Sequence, residues 1–282
     1  MQTTAITNAF VVTVDPDFRC LSPGTVVFDE RGIQAVGPAA ETAIPRGATV
    51  IDGKGRFAVL PGLVDVHSHS SLLKGFSENA QLIDWLPEYQ REHQVLTPAD
   101  AYFACMISYL EALKGGTTTV LDMYRFLHEG ARAAEQLGMR VHLVPYAADH
   151  PTKKFFETLA STEDLIREHH GSAGGQVRFW VGLEHITYTS EQREEVAAVE
   201  SIFGKRPVMK FAEYGILRPG TVLAHCVWLD ERELDLLAET GTQVAHCPVS
   251  NAKLACGGPL DLPAMRARGI NVGLGTDGTI SN

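Results

Sequence analysis

The stretch Pro61-Gly-Leu-Val-Asp-Val-His-Ser-His69 decides how this sequence is interpreted. It begins with mainly apolar residues and ends in two histidines that are separated by one residue. Because alternate side chains of a strand point to the same face, His67 and His69 can reach one metal ion together. We therefore predict a strand that presents two metal ligands, with Zn–N distances of about 2.0–2.1 Å.

Three later apolar runs end in polar groups of the same chemical kind. They are Thr221-Val-Leu-Ala-His-Cys226, Gln243-Val-Ala-His-Cys-Pro248 and Asn271-Val-Gly-Leu-Gly-Thr-Asp277. Strand after strand thus delivers a histidine or an aspartate at its C-terminal end, where a (β/α)-barrel builds its active site. The sequence therefore predicts a metal site at one end of a parallel barrel.

Composition restricts the compartment and the kind of partner. The 282 residues carry a formal net charge of −10, which argues against nucleic acid or an anionic membrane as the partner. The five cysteines include no Cys-x-x-Cys pair, so we expect no disulfide framework. The N-terminus has no signal-type apolar core, and no apolar run of about 18 residues occurs. We expect a cytoplasmic protein with a small-molecule substrate.

The order of predicted elements indicates an α/β fold in two parts. Residues 1–58 contain short β-rich runs between turn-forming residues, which predicts a small β domain. Residues 59–282 alternate strands and helices, the pattern of a barrel domain. One helix is predicted over Thr97–Lys114, because Thr97 suits the N-cap and Pro98 suits the first helical position.

Taken together, the motifs resemble the amidohydrolase superfamily, in its branch of aminohydrolases and chlorohydrolases. That branch includes purine, pyrimidine, S-adenosylhomocysteine and triazine deaminases. The matching text is Pro61–His69, Gly115-Gly-Thr-Thr-Thr-Val, Gly204-Lys-Arg-Pro-Val, Leu223-Ala-His-Cys-Val-Trp-Leu-Asp, Ala245-His-Cys-Pro-Val-Ser-Asn and Gly273-Leu-Gly-Thr-Asp-Gly. The resemblance implies a metal-dependent (β/α)8 TIM-type barrel beside a small β-sandwich, the latter built from both chain ends.

The resemblance also implies which residues hold a metal and carry out the chemistry. It makes His67, His69 and Asp277 the ligands of one divalent metal, with Zn²⁺ expected and Fe²⁺ as the alternative. It makes Asp277 a catalytic residue as well, since the carboxylate takes a proton from the attacking water. His225 is implied to orient that water, and Glu191 to move a proton to the ring nitrogen of the substrate.

Two further residues are implied to contact the substrate. His185, in Gly182-Leu-Glu-His, resembles a histidine at the end of the fourth barrel strand. Trp85, in the segment after the first strand, resembles a lid residue over the pocket.

The chain departs from the family pattern in two places. Tyr188 stands where the family has a metal-binding histidine three residues before the glutamate. His185 and Glu191 are also too close for the crossover of at least about 10–12 residues that should separate their strands. The chain then ends five residues past Asp277. We therefore expect an incomplete barrel, from a shortened variant or fragment, or from joined segments of a longer protein.

The predicted function is that of a metal-dependent hydrolase. It would deaminate a purine, pyrimidine, pterin or triazine-like ring and release ammonia. One alternative is the removal of chloride or an alkylamine from a triazine. Another is a catalytically incomplete remnant of the family. An open barrel edge would favour a homodimer.

Overall fold

The computed structural model describes residues 2–75, 79–146, 157–182 and 193–281. The chain divides into two compact units, Met1–Gly62 and Leu63–Asn282.

The first unit is built on one five-stranded sheet. Its strands are β1 (Thr4–Val12), β2 (Cys20–Asp29), β3 (Gly32–Pro38), β4 (Thr49–Asp52) and β5 (Ala58–Val59). The order is β3-β2-β1-β4, and β5 also pairs with β1. Alternate residues of β1 are buried, so that Ala9 and Val11 pack against Val26. The predicted β character of this segment is confirmed.

The second unit alternates strands and helices, as predicted. Its strands are β6 (Leu63–His69), β7 (Thr117–Tyr124), β8 (Arg140–Pro145), β9 (Val177–Phe179), β10 (Val222–Ala224), β11 (Gln243–His246), β12 (Val272–Leu274) and β13 (Asp277–Gly278). Its helices are α1 (Leu82–Val95), α2 (Pro98–Lys114), α3 (Leu127–Leu137), α4 (Leu159–His169), α5 (Ser172–Gly175), α6 (Arg193–Phe203), α7 (Pro207–Glu213), α8 (Glu231–Thr240), α9 (Pro248–Lys253) and α10 (Leu262–Ala267).

All strand pairs in the described part of the second unit are parallel. One ladder has the order β13-β6-β7-β8-β9, and the other has the order β10-β11-β12. The last strand region returns to the first, since Asp277 pairs with Ser68 and Gly278 with His69. Within each ladder, strands that follow one another in the sequence lie side by side, and the last strand lies beside the first. This is the arrangement of a (β/α)-barrel. The C-terminal ends of the strands therefore meet at one edge.

Helices α2 and α3 cover the outer side of β7 and β8. Ala104 and Tyr109 of α2 and Leu127 of α3 are buried in one cluster with Val141 and Leu143 of β8. Burying a Leu or Val side chain contributes about 1.5–3 kcal/mol, so this cluster fixes the strand ends that the site uses. No helix in the described ranges is long and apolar enough to cross a membrane.

Three helices of the second unit were not predicted, among them α5, which is only four residues long. Helix α1 follows Gln81, which makes no side-chain capping bond, and it contains Pro87, which removes a helical hydrogen bond. Helix α9 is only six residues long and follows Cys247, which also makes no capping bond. Helix α1 has no capping signal, and the start signal of α9, Pro248, is followed by only five more helical residues, so tertiary packing forms both helices.

The cap of α2 gives a first test of the fold. The Thr97 hydroxyl accepts a hydrogen bond from the Asp100 N–H, and the Asp100 carboxylate accepts one from the Thr97 N–H. Thr97→Ala should lower the free energy of unfolding by about 1 kcal/mol, because it leaves a helix-terminal N–H without its partner. Urea unfolding followed by circular dichroism measures the loss. Thr97→Ser keeps the hydroxyl and is the control; an equal loss in both variants would contradict the capping role.

Candidate metal centre

The end of β6 and the start of β13 bring three possible metal ligands together. The Nε2 atoms of His67 and His69 lie 3.1 Å apart. Oδ1 of Asp277 lies 3.6 Å from Nε2 of His67 and 3.4 Å from Nε2 of His69. Ligand atoms of a tetrahedral zinc ion, each at about 2.1 Å from the metal, lie about 3.4 Å from one another. The three donor atoms therefore have the spacing that one such ion requires.

The protonation states of His67 and Asp277 suit a cation. Burial, followed by the neighbouring His69, lowers the pKa of His67 well below its ordinary value. Burial acts to raise the pKa of Asp277, but His225, His69 and His67 outweigh it and hold that pKa below its usual range. A neutral imidazole and an ionised carboxylate are the forms that bind a metal.

A backbone carbonyl fixes the orientation of the His69 ring. Nδ1 of His69 lies 2.7 Å from the carbonyl oxygen of Met123, at the end of β7. A carbonyl oxygen can only accept, so Nδ1 carries the hydrogen, and the lone pair of Nε2 faces His67 and Asp277. The hydroxyl of Tyr146 lies 3.1 Å from the same nitrogen.

His225 lies beside the three donors, directly after β10. Its ring centroid is 5.3 Å from that of His67. His225 and Asp277 both have a left-handed backbone, with φ of 65° and 64°. A non-glycine residue in this region costs roughly 1–3 kcal/mol and persists only where its surroundings hold it, which is typical of functional sites.

The other predicted site residues either reach the three donors through a neighbouring side chain or lie outside the described residues. Trp85 is buried on α1 and stacks on Tyr89 with ring centroids 4.8 Å apart. The Tyr89 ring in turn lies 6.2 Å from the His69 ring, so Trp85 reaches the metal ligands through Tyr89. His185 and Glu191 lie outside the described residues, as does the departure at Tyr188.

Asp65, which the sequence analysis did not single out, joins the two segments that carry the ligands. Its carboxylate accepts hydrogen bonds from the His67 N–H at 3.2 Å, the Thr276 N–H at 3.0 Å and the Thr276 hydroxyl. Burial raises the pKa of Asp65, and the bonds from Thr276 and His67 oppose that rise. Asp65 therefore fixes the residue before Asp277 against the strand of His67.

Two more buried carboxylates hold the chain just after His69. Asp122 accepts bonds from the N–H and hydroxyl of Ser70, at 2.9 and 2.7 Å, and from the hydroxyl of Tyr109 at 2.7 Å. Glu92 of α1 accepts bonds from the Ser71 hydroxyl at 3.0 Å and from the Leu72 N–H at 3.1 Å. Asp122 follows the apolar residues Val120 and Leu121 near the end of β7. A carboxylate at this point of a strand was the signal by which the sequence could have indicated it.

Gly275 is required where β12 passes the ligand strand. A Cβ atom at this position would lie 2.8 Å from Cβ of His67 and 2.9 Å from its carbonyl oxygen. Real Cβ atoms do not approach other atoms this closely, so a side chain here would push His67 out of place.

Two further groups of possible metal ligands occur among the described residues. One shares His67 with this centre, and the other lies at the surface. His67, His225 and Cys247 form a second buried set. His128, Glu168 and His169 form a set at the surface, on α3 and α4, in which Nδ1 of His128 lies 2.7 Å from Nε2 of His169. A cavity of about 400 Å³, lined by His246 and the α9 region, contains none of the three donors of the main centre.

Comparison with known proteins shows which family this sequence matches. The sequence profile of the amidohydrolase family matches residues 58–187 and 183–282. The 5-methylthioadenosine/S-adenosylhomocysteine deaminase of Syntrophobacter fumaroxidans is 37% identical over 98% of this chain and 69% of its own length. That alignment has 304 positions for a chain of 282 residues, so at least 22 positions of the relative have no counterpart here.

Solved structures share the fold. An adenosine deaminase from Xanthomonas campestris with bound zinc has a TM-score of 0.89 and 26% identity, over 99% of this chain and 70% of that one. A triazine hydrolase from Arthrobacter aurescens has a TM-score of 0.89 and 22% identity, over 100% of this chain and 73% of that one. The predicted TIM-type α/β barrel is confirmed.

The donor geometry predicts metal binding that depends on Asp277. The protein incubated with Zn²⁺ and then dialysed should retain about one zinc per chain at the closed, buried set. Asp277→Asn keeps the size of the side chain but removes its charge, so zinc content should fall several-fold. Elemental analysis by mass spectrometry measures it. His128→Ala disrupts the surface set and is the control; zinc loss in this variant, with retention in Asp277→Asn, would place the metal elsewhere.

The close approach of Gly275 predicts a steric effect on the same site. Gly275→Ala should weaken zinc binding by at least about tenfold, because His67 must move by several tenths of an ångström. Titration against a chromophoric chelator measures the affinity. Gly115→Ala is the control, since a Cβ atom there meets only ordinary contacts at 3.4 Å and beyond. Equal affinities in both variants would show that β12 does not constrain His67.

Proposed function

The chain belongs to the amidohydrolase family, and from this premise we propose that it deaminates the purine ring of an adenosine-type nucleoside. It is a hydrolase of carbon–nitrogen bonds in cyclic amidines. The names of the Syntrophobacter relative and the Xanthomonas structure support the nucleoside class. The observation that carries the proposal is the convergence of His67, His69 and Asp277 at ligand spacing.

The proposed cofactor is one Zn²⁺ ion held by Nε2 of His67, Nε2 of His69 and the carboxylate of Asp277. Such an ion, when bound, lowers the pKa of water from 15.7 to about 7 and so supplies a nucleophile at neutral pH. The zinc in the Xanthomonas structure supports this choice of metal. We also propose that the sheet of the first unit is one layer of a β-sandwich.

The proposed reaction replaces the amino group of the ring by an oxygen. The oxygen of water forms a bond to the ring carbon, and the bond from that carbon to the amino nitrogen breaks. One proton of the water ends on the ring nitrogen, and the other leaves with the amino group as ammonia. Both protons must therefore be carried by groups of the protein.

Asp277 and His225 suit the steps on the water side. Asp277 is ionised, so its carboxylate can accept the first proton of the attacking water. His225 stands next to His67, from where a ring nitrogen would donate to the oxygen on which negative charge develops. Both residues are held in backbone conformations that do not relax easily, which fixes their atoms before the substrate arrives.

Glu191, His185 and Trp85 are proposed to act on the substrate ring. Glu191 would place a proton on the ring nitrogen, and the proton that Asp277 took from water would pass to the departing amino group. Glu191 would then take the remaining hydroxyl proton as the carbonyl forms; this role rests on its place in the sequence pattern. His185 and Trp85 would contact the ring. The buried stack of Trp85 on Tyr89 places aromatic surface near His69, which favours an aromatic base.

The proposal predicts ammonia release from an adenosine-type nucleoside by the zinc-loaded protein. Glu191→Gln cannot donate a proton, so turnover should fall by about 10²- to 10⁴-fold. A coupled glutamate dehydrogenase assay measures ammonia, with adenosine, 5′-deoxyadenosine and 5-methylthioadenosine as substrates. Glu200→Gln, at an exposed position of α6, is the matched control and should keep full activity.

Three results would contradict the proposal in different ways. Unchanged turnover in Glu191→Gln would remove the role of this glutamate. Chloride or alkylamine release from a triazine, without ammonia from any nucleoside, would favour the triazine reaction. A zinc-loaded protein without any turnover would be the catalytically incomplete remnant.

A further inference from the structure

Helix α9 contacts the ends of two strands that carry catalytic groups. The hydroxyl of Ser250 donates a hydrogen bond to Oδ2 of Asp277. The next residue, Asn251, places its side-chain Nδ2 at 3.0 Å from Nδ1 of His225. One turn of helix thus touches both residues, and both Ser250 and Asn251 are buried.

We propose that α9 is a clamp that fixes the carboxylate of Asp277 and the tautomer of His225, with Ser250 and Asn251 as positioning residues. This proposal rests on the proposed function, because it gives both residues their roles in that reaction. Neither residue is expected to touch the substrate. Each acts through the catalytic group that it holds.

Ser250 determines which oxygen of Asp277 faces the histidines. The hydroxyl occupies Oδ2, while Oδ1 lies 3.6 and 3.4 Å from Nε2 of His67 and His69. Without this hydrogen bond the carboxylate can rotate about its last bond and leave the ligand spacing. Loss of a contact of this kind around a metal ligand typically weakens metal binding about 10- to 100-fold.

Asn251 determines which nitrogen of His225 carries the hydrogen. An amide N–H₂ can only donate, so Nδ1 of His225 accepts and the hydrogen of the neutral ring lies on Nε2. Nε2–H is then the group that can donate towards an oxygen on which charge develops. In Asn251→Asp an acceptor of the same size faces Nδ1 and draws the hydrogen to that nitrogen instead.

The helix is anchored well enough to act as a clamp. Pro248 occupies its first turn, and Leu254 directly after it is buried with Leu82 and Ile280 in one apolar cluster. Lys253 also donates to the carbonyl oxygen of Ile280 at 3.1 Å, which ties the helix to the segment after Asp277.

The first half of the test needs no substrate. We expect Ser250→Ala to bind Zn²⁺ about 10- to 100-fold more weakly in chelator competition. Ser250→Thr keeps the hydroxyl and should restore most of the affinity. Thr162→Val is the matched control, since it removes a buried hydroxyl that donates to the carbonyl oxygen of Thr158, the N-cap of α4. Wild-type affinity in folded Ser250→Ala would overturn the role of Ser250.

The second half follows the tautomer and the rate. NMR of ¹⁵N-histidine-labelled protein, with the His225 signals assigned by their loss in His225→Gln, should show Nε2–H in the wild type. Asn251→Asp should show Nδ1–H, a kcat lower by at least about 10²-fold and unchanged zinc affinity, because a wrong tautomer disables a correctly placed imidazole. Asn251→Ser, which leaves both ring nitrogens without the amide, should show a mixture of tautomers.

Failure of the clamp and failure of the proposed function remain distinguishable. A wild-type protein that deaminates no nucleoside would remove the proposed function, while the zinc affinities and the tautomer would still report on α9. Conversely, an active protein whose His225 tautomer and kcat are unchanged in Asn251→Asp would overturn the clamp alone.

Discussion

The carboxylate of Asp65 is the constraint on which the rest of the site depends. It holds the backbone of His67 on the first barrel strand and the backbone and hydroxyl of Thr276 near the chain position of Asp277. The two ligand segments are more than 200 residues apart in sequence. The same buried carboxylate therefore bonds both to the strand of His67 and to the residue before Asp277. It sets the distance between these two metal ligands where the barrel closes.

The same principle extends along the chain after His69. Asp122 and Glu92 are buried, and they accept hydrogen bonds from Ser70, Ser71 and Leu72 just after the strand of His67 and His69. Asp122 also accepts one from the Tyr109 hydroxyl on α2. Burying a carboxylate without such partners would cost several kcal/mol. The two acids and the polar groups at the strand end therefore stabilise each other. The metal centre is consequently surrounded by groups that can move little without exposing an uncompensated charge.

The sequence predicted the parts of this arrangement that follow from local rules. The period of two along a strand placed His67 and His69 on one face, and the polar ends of the apolar runs located His225 and Asp277. The capping residues Thr97 and Pro98 located α2. Chemistry at strand ends is visible in a sequence because it depends on only a few neighbouring positions.

What the sequence did not reveal depends on contacts between distant segments. Glu92 lies on a helix that lacks a cap and contains a proline, and only packing against the strand ends buries it. In the sequence, Asp65 is one residue of the histidine motif. Its second role is apparent only from the hydrogen bond that it accepts from Thr276 in the structure. Ser250 and Asn251 lie on a helix too short to have a periodic pattern. Asp65, Ser250 and Asn251 lie within matched sequence motifs, but the groups that they contact are visible only in the tertiary fold.

The burial of the three donor atoms has a consequence for how the protein would acquire its ion. His67, His69 and Asp277 each expose less than a tenth of their surface. A metal can therefore leave only when the surrounding segments open, and the free energy of such openings, rather than the strength of the metal–ligand bonds, sets the exchange rate. Exchange would be slow on the timescale of catalysis. Loading of the folded protein with Zn²⁺ should therefore need long incubation, and chelator competition should reach equilibrium slowly.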